Sequence, residues 1–492
     1  MTVGTPQLRY WIDMTLECVR RDHTNTPAAP ISEGDQRGPF LTARAVGMAL
    51  VALHDANAIA GSRTPLLTLP APPGLAGSNP IIAGAAACHE LLRLRYPRQI
   101  RLLDPAWDQW LELHPGIGAG TAMAAGRAYG TAVHLLGNRD IAAATGAYEE
   151  RPNEPYRHIK PPNQPNQGYA GVNWGSAREL LVPRPNFPKP PGRLSATQVV
   201  PTQHYQDDFA KVVAKGAANR VRGDGTSRSL EEELIGIFWG YDGPAELGTP
   251  PRLYMQVVLT ILDAIEARSP GKLDSTEELK IIAGVGIALA DAGIHAWHYK
   301  YNPDHMMWRP VIGIPKAVPG NGAALPGWLP LGRPDTNGTG LQLTPDFPAY
   351  PSGHATFGAA AFELLRLFLV EKGIATFDAH GVDSIGFDFV SDEYNGRNTD
   401  PRTRMPREPV TRRHENLWQA IRENSVSRVY LGVHWQFDGI TKKGAEPDGV
   451  FGVPETPAQL GKIGGVWLGG QIAHAVAPRL GISAATIAAS KM

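Results

Sequence analysis

Apolar residues that recur every three or four positions dominate this chain. This spacing places them along one face of an α-helix, whereas the alternating apolar and polar runs that are typical of strands are scarce. The sequence therefore predicts an all-α fold. The predicted helices are Leu41–Ala60, Pro80–Leu94, Gly120–Leu136, Ser229–Trp239, Leu253–Ala267, Thr276–Tyr299, His354–Glu371, His414–Val429 and Gly465–Val476.

Two loop regions interrupt the helical pattern. Ten prolines lie between Arg151 and Ser195, and proline both removes a helical hydrogen bond and clashes with the preceding turn. We predict an extended connection there, with an N-terminal helical bundle and this connection in residues 1–200 and a C-terminal bundle in residues 201–492. A second Gly- and Pro-rich loop, Pro315–Tyr350, is predicted to wall a pocket, because long ordered loops are often functional.

Composition limits the function classes. Lys and Arg together number 47, as do Asp and Glu, so there is no global field for nucleic acid or an anionic membrane. The two cysteines, Cys18 and Cys88, are expected to be buried helix residues. The start of the chain shows no secretory signal. We expect a soluble monomer or homodimer, cytoplasmic by lack of a signal, with non-classical export possible.

The run Pro351–Ser352–Gly353–His354 precedes a predicted helix. Free backbone amides and the positive end of the dipole make a helix start suitable for an anion, and Gly353 allows close backbone approach. Ser352 could donate its hydroxyl to an oxyanion, and His354 could exchange a proton with it. Alone, the run could equally be an N-cap serine, a turn glycine and a capping histidine.

Arg428 and His434 lie about 70 residues later, with Gly432 between them. The glycine predicts a helix end, with Arg428 on the last turn and His434 just beyond it. A neutral imidazole nitrogen can attack phosphorus or ligate vanadium, and Asp438, four residues on, could orient that histidine. A buried structural histidine beside a surface arginine is the alternative.

Upstream cations complete a predicted oxyanion cage. Arg309, in an Arg-Pro pair, offers a planar fork of donors, and Lys300 adds a point charge. Fixed cations, turn amides and two histidines predict a pocket for a tetrahedral oxyanion such as phosphate or vanadate. His295, His298 and His305 also make a divalent metal site conceivable, although no known metal-ligand spacing completes it.

These motifs together resemble those of the vanadium-dependent haloperoxidases, in particular the chloroperoxidases, within the type 2 phosphatidic acid phosphatase/haloperoxidase superfamily. The longer runs favour the haloperoxidase branch, and the resemblance spans about residues 8–480. The resembling runs are Pro348–Gly358, Leu431–Asp438, Gly248–Arg252 and Leu41–Met48.

The resemblance implies a fold of two four-helix bundles and a bound vanadate cofactor, with hydrogen peroxide, halide and a small organic molecule as substrates. It implies a role for each matching residue. His434 would ligate vanadium; Lys300, Arg309, Arg428, Ser352 and Gly353 would hold the oxygens; His354 would be the acid–base group; Asp242 would pair with Arg428; and Trp297 and Phe347 would form an aromatic wall for the halide, with phenylalanine at 347 as in chloroperoxidases.

One spacing departs from the family pattern. In the chloroperoxidases the lysine precedes the arginine by seven residues, whereas Lys300 and Arg309 are nine apart. On a continuous helix this spacing would put the two cations on opposite faces. Pro303 predicts a local break that restores their convergence.

The sequence leaves three functions open. The favoured one is a vanadate-dependent haloperoxidase that oxidises chloride or bromide to a hypohalous acid equivalent, which halogenates organic substrates. The second is an acid phosphatase with a histidine nucleophile, because phosphate and vanadate fit the same cage. The third is an oxyanion-binding protein without turnover.

Overall fold

The protein, described here from a computed structural model over residues 5–24, 34–114, 120–219, 227–444 and 449–492, has mainly helical regular structure. Sixteen α-helices and a two-stranded antiparallel sheet occur in these ranges. The helices are α1 (Thr5–Asp22), α2 (Pro39–Ala60), α3 (Pro80–Arg95), α4 (Ile100–Glu112), α5 (Gly120–Leu135), α6 (Asp140–Ala144), α7 (Gln203–Lys215), α8 (Leu230–Phe238), α9 (Pro250–Arg268), α10 (Ser275–Tyr301), α11 (Pro310–Lys316), α12 (Gly353–Glu371), α13 (Leu417–Tyr430), α14 (Gln436–Gly439), α15 (Gly465–Val476) and α16 (Ala484–Ala489). The strands are β1 (Phe387–Val390) and β2 (Thr411–His414).

The all-α prediction is confirmed, with one local error. Each of the nine predicted segments coincides with a helix, but the segment predicted from His414 begins at Leu417. Asn416 caps α13 by accepting a hydrogen bond from the Gln419 N–H, so the helix cannot extend back through it. His414 instead ends β2, where its ring stacks on Phe387 of β1.

Helix α10 is the centre of the molecule. It packs against α2 on one side and against α12 on the other, and nearly every residue of α2 is buried. Gly47 of α2 faces Gly286 of α10 so closely that a Cβ at position 47 would lie 2.4 Å from the Gly286 carbonyl oxygen. One continuous hydrophobic core therefore joins the N-terminal and C-terminal helices. The division at residue 200 stays a prediction.

Helices α10 and α12 are long and apolar enough to cross a membrane. In each, 94% of the apolar window is buried inside the protein. Both therefore pack as core helices inside the protein.

The predicted proline-rich connection is confirmed as an extended segment, with only a single short 3-10 turn at Trp174–Ser176. Asp291 of α10 holds part of this segment by accepting hydrogen bonds from the backbone N–H groups of Leu180, Leu181 and Val182. Earlier in the same segment, the Ala170 carbonyl accepts a hydrogen bond from the indole N–H of Trp297. The connection is thereby fixed beside the predicted site.

Candidate active site

The Ser352–Gly353–His354 run forms the start of α12, as predicted. Ser352 is the N-cap and accepts a hydrogen bond from the Ala355 N–H. Its own N–H donates to the Asp438 carbonyl at 2.7 Å. This bond ties the start of α12 to the segment that carries His434, so the two sequence motifs meet in one place.

Arg428 lies on the last turn of α13, and the chain then reverses at Gly432, where φ is +69°. The left-handed conformation is accessible to glycine at little cost. The Val433 N–H donates back to the Arg428 carbonyl at 3.1 Å. The turn therefore directs Arg428 and His434 toward one cavity, which both of them line.

Replacing Gly432 with alanine is expected to destabilise the protein more than the same change at Gly373. Both glycines have positive φ, at +69° and +64°, but a Cβ at 432 would lie 2.3 Å from the Gly216 carbonyl oxygen, whereas one at 373 meets nothing within 4 Å. Gly373→Ala should cost about 1–2 kcal/mol in backbone strain. Gly432→Ala should add about 1–3 kcal/mol of overpacking, measured by urea unfolding. Equal costs would contradict this packing argument.

His434 is buried, and its two ring nitrogens have distinct partners. Nδ1 lies 2.9 Å from an oxygen of Asp438, and Nε2 lies 3.0 Å from Nη1 of Arg309. Because a guanidinium can only donate, Nε2 must be the acceptor, and Nδ1 carries the hydrogen toward Asp438. Burial, and next the charge of Arg309, lower the pKa of His434 well below its usual range. The ring is therefore neutral, and a ligand at Nε2 would replace the hydrogen bond that this lone pair accepts from Arg309.

His354 has the opposite arrangement. Its Nε2 lies 2.8 Å from the Gly240 carbonyl oxygen, which can only accept, so Nε2 carries the hydrogen and Nδ1 keeps its lone pair. Burial, followed by the charge of Arg428, lowers the pKa of His354 to about 3. His354 lines the cavity, and its ring is unprotonated at neutral pH.

Asp242 pairs with Arg428, as the resemblance implied. Nη2 of Arg428 donates to both carboxylate oxygens, at 2.9 and 2.7 Å. Burial raises the pKa of Asp242, but the charges of Arg428, His354 and Arg333 and the hydrogen bond from Arg428 together outweigh burial, and the net pKa is lowered. The same carboxylate lies 3.9 Å from Nε2 of His354. The buried carboxylate thus holds the Arg428 guanidinium by hydrogen bonds and lies near His354, whose Nε2 donates to the Gly240 carbonyl instead.

Lys300 is buried next to the cage but does not line the cavity. Its ammonium donates to the carbonyls of Pro348, Ala349 and Pro351 at 2.9, 3.0 and 2.6 Å, which uses all three of its N–H bonds. Helix α10 ends at Tyr301, so the chain breaks before Pro303 as predicted. In this structure Lys300 fixes the segment that leads into Ser352 and adds positive charge behind it.

Trp297 and Phe347 form an aromatic wall of the cavity, with ring centroids 4.7 Å apart. The guanidinium carbon of Arg309 lies 5.0 Å from the centre of the Phe347 ring, and the Phe347 carbonyl accepts from Nε of Arg309 at 2.9 Å. The cavity has a volume of about 400 Å³, which is within the range of small-molecule sites.

Three guanidinium nitrogens at this site are buried without a hydrogen-bond partner among the described residues: Nη2 of Arg309 and Nε and Nη1 of Arg428. Burial lowers the pKa of Arg309 only to about 9, so it remains charged at neutral pH. Buried donors that lack acceptors are costly. An oxyanion supplies the missing acceptors, and the residues present therefore fit vanadate.

The metal alternative finds no support in the described ranges. No cluster there holds three His, Cys, Asp or Glu side chains in a position to bind a metal ion. His295 and His305 instead interact with the backbone carbonyls of Val182 and Phe187.

Comparison with known proteins agrees with the geometry. Residues 280–445 match the family model described as the VCPO second helical-bundle domain. The chain is 28% identical to vanadium chloroperoxidase of Curvularia inaequalis over 88% of its own length and 79% of that protein. Both matches relate the chain to the vanadium-dependent haloperoxidases.

Solved structures of bacterial vanadium-dependent haloperoxidases share this fold. A bacterial vanadium-dependent iodoperoxidase superposes with a TM-score of 0.60 at 20% identity, over 97% of both chains. The holo form of a bacterial vanadium-dependent chloroperoxidase superposes with a TM-score of 0.57 at 15% identity, over 94% of this chain and 95% of the other.

The sequence did not single out several residues that line the cavity. The prediction that the loop Pro315–Tyr350 walls the pocket is confirmed, but Arg333 and Asp346 within it were not identified. Arg37 and Gln167 come from other loops. A charged side chain inside a Gly- and Pro-rich loop was the available signal for Arg333. The Gly240 carbonyl, which accepts from His354, could not be predicted in this way, because every residue has a backbone carbonyl and its identity does not indicate where that group points.

Proposed function

We propose that this protein, a vanadate-dependent haloperoxidase, holds vanadate between His434 and the guanidinium groups of Arg309 and Arg428. The observation that carries the assignment is the set of unpartnered, buried guanidinium N–H groups beside a neutral histidine. Ser352 and the Gly353 amide at the start of α12 add donors to the same anion. Bound vanadate supplies Lewis acidity, which makes an oxygen of hydrogen peroxide electrophilic.

The protein residues manage charge and protons in the overall reaction H2O2 + X⁻ + H⁺ → HOX + H2O. Nδ1 of His354 accepts a proton as peroxide binds and returns it when water forms. Arg309 and Arg428, both buried, stabilise negative charge there. Lys300 supports them by fixing the segment Pro348–Pro351 and by its charge. Asp438 keeps the His434 lone pair directed at the cofactor.

Chloride and bromide are the proposed halides. The support is Phe347, which resembles the residue found in chloroperoxidases, and its position on the aromatic wall. The phosphatase alternative is not favoured, because the relatives described above are haloperoxidases.

The deciding assay compares two reactions of the purified protein. The vanadate-loaded protein should brominate and chlorinate a generic acceptor with hydrogen peroxide, and halogenation should disappear when vanadate is removed. The apo protein should not hydrolyse a phosphate ester at a comparable rate. Hydrolysis without vanadate-dependent halogenation would contradict the proposal, and bromination without chlorination would contradict only the assignment from Phe347.

Oxyanion binding should raise the pKa of His354 and should tighten as pH falls. The free site holds this pKa at about 3 through burial and the charge of Arg428, and a bound anion neutralises that charge. Between the free and bound pKa values the complex holds more protons than the free protein, so linkage requires affinity to rise with acidity. Calorimetric titration with phosphate across this window should show a weaker slope in His354→Ala. An identical slope would contradict the assignment.

A further inference from the structure

The mouth of the active-site cavity carries two arginines that the oxyanion cage does not use. Arg333 and Arg37 both line it. The Arg333 guanidinium is partly buried, and its one side-chain hydrogen bond within the described ranges is a 3.4 Å contact from Nη1 to the Asp242 carbonyl. The Arg37 guanidinium is exposed and has no ion pair with any described residue. Both cations therefore remain available to an anion.

The floor and walls of the same cavity are aromatic. Trp297, Phe347 and Phe357 line it below the arginines. A volume of about 400 Å³ admits a single aromatic ring with a short substituent. An electron-rich ring is also the kind of group that an electrophilic halogen attacks. A ring held against these aromatic side chains would therefore present its reactive carbon inside the cavity.

We propose that Arg333, assisted by Arg37, binds the carboxylate of an anionic phenolic acceptor whose ring lies in the cavity. The inference rests on the proposed function for its chemistry: a ring C–H bond breaks, a C–X bond forms, and the proton combines with the hydroxide of HOX to give water. The cage cations are occupied by vanadate in the working enzyme. A second anion must therefore be recognised by the remaining arginines.

Asp346 opposes this attraction, so its removal should change acid binding in the opposite direction from removal of Arg333. Its side chain also lines the cavity, and no described cation lies within ion-pair distance of it. Burial raises the pKa of Asp346, whereas its own backbone N–H and the charge of Arg333 lower it. An ionised Asp346 repels a carboxylate at the mouth. Two guanidinium groups against one carboxylate leave the mouth cationic.

The test is calorimetric binding to the vanadate-loaded protein without peroxide at mildly alkaline pH, where Asp346 is ionised. The probes are para-hydroxyphenylacetate and its neutral amide. The acid should bind about tenfold more tightly than the amide, and Arg333→Ala should remove this preference. Asp346→Asn should tighten binding of the acid and leave the amide unchanged. Arg101→Ala, an exposed arginine of α4 away from the cavity, is the matched control.

Three outcomes would overturn the proposal. The first is equal affinity for acid and amide, and the second is a preference that persists in Arg333→Ala. The third is an Arg333→Ala variant whose KM for bromide rises while acid binding stays unchanged. This third outcome would assign the arginine to halide attraction. Arg333→Lys, which keeps the charge, guards against a folding defect and should retain part of the preference. Because binding is measured without turnover, loss of halogenation would reject the proposed function alone.

Discussion

Replacing His434 with alanine is expected to abolish vanadate-dependent halogenation. Its Nε2 lies 3.0 Å from Nη1 of Arg309, and the ring hydrogen is fixed on Nδ1 by Asp438. Changing a residue that only orients a metal ligand costs roughly 10–100-fold in affinity, so loss of the ligand should exceed the upper end of that range. Equilibrium dialysis with vanadate measures the affinity, and peroxide-dependent bromination measures the activity.

His298→Ala is the matched control for this variant. His298 lies on α10, is half-buried and lines a different cavity, so its removal should leave vanadate affinity unchanged. Both variants should show cooperative thermal unfolding. Phosphate binding gives a further distinction, because the arginines remain in His434→Ala and should still bind phosphate. Full halogenation by His434→Ala would remove the basis of the proposed site.

The Arg428–Asp242 pair is expected to stabilise the protein and to be indispensable for activity, for separable reasons. Both side chains are buried, at 1% and 7% exposed. Removing one partner of a buried pair leaves an uncompensated charge and costs about 3–5 kcal/mol, whereas replacing both partners is often nearly neutral. Arg428→Met and Asp242→Asn should therefore each lower the free energy of unfolding strongly. The double variant should lose less free energy of unfolding than the two single variants lose in total.

Among these single and double variants, halogenation activity should not follow the free energy of unfolding. The double variant lacks the cage cation and the carboxylate beside His354, so it should fold and remain inactive. Asp388→Asn, in the exposed pair of Arg413 and Asp388 at 3.7 Å, should cost less than about 1 kcal/mol. Additive losses in the double variant, measured by urea unfolding, would show that the two charges do not interact as described.

Local patterns predicted the helical elements well because each depends on neighbouring residues. Apolar periodicity identified nine of the sixteen helices in the described ranges. The helices α1, α4, α6, α7, α11, α14 and α16 were not predicted. The helix start at Gly353 and the reversal at Gly432 were both readable, because a turn requires particular residue types within a few positions. His414 was misassigned, because its partner Phe387 lies in a distant strand.

The sequence by itself determined which residue types form the oxyanion site and where the chain turns to present them. Only the tertiary structure decided what each group does there. Asp242 and Arg428 are 186 residues apart, the hydrogen on His434 is set by Arg309 and Asp438, and Lys300 is committed to three carbonyls. The mouth formed by Arg37, Arg333 and Asp346 likewise joins separate loops. Hydrogen-bond donors, acceptors and charges act over a few ångströms in space, and sequence distance does not encode that separation.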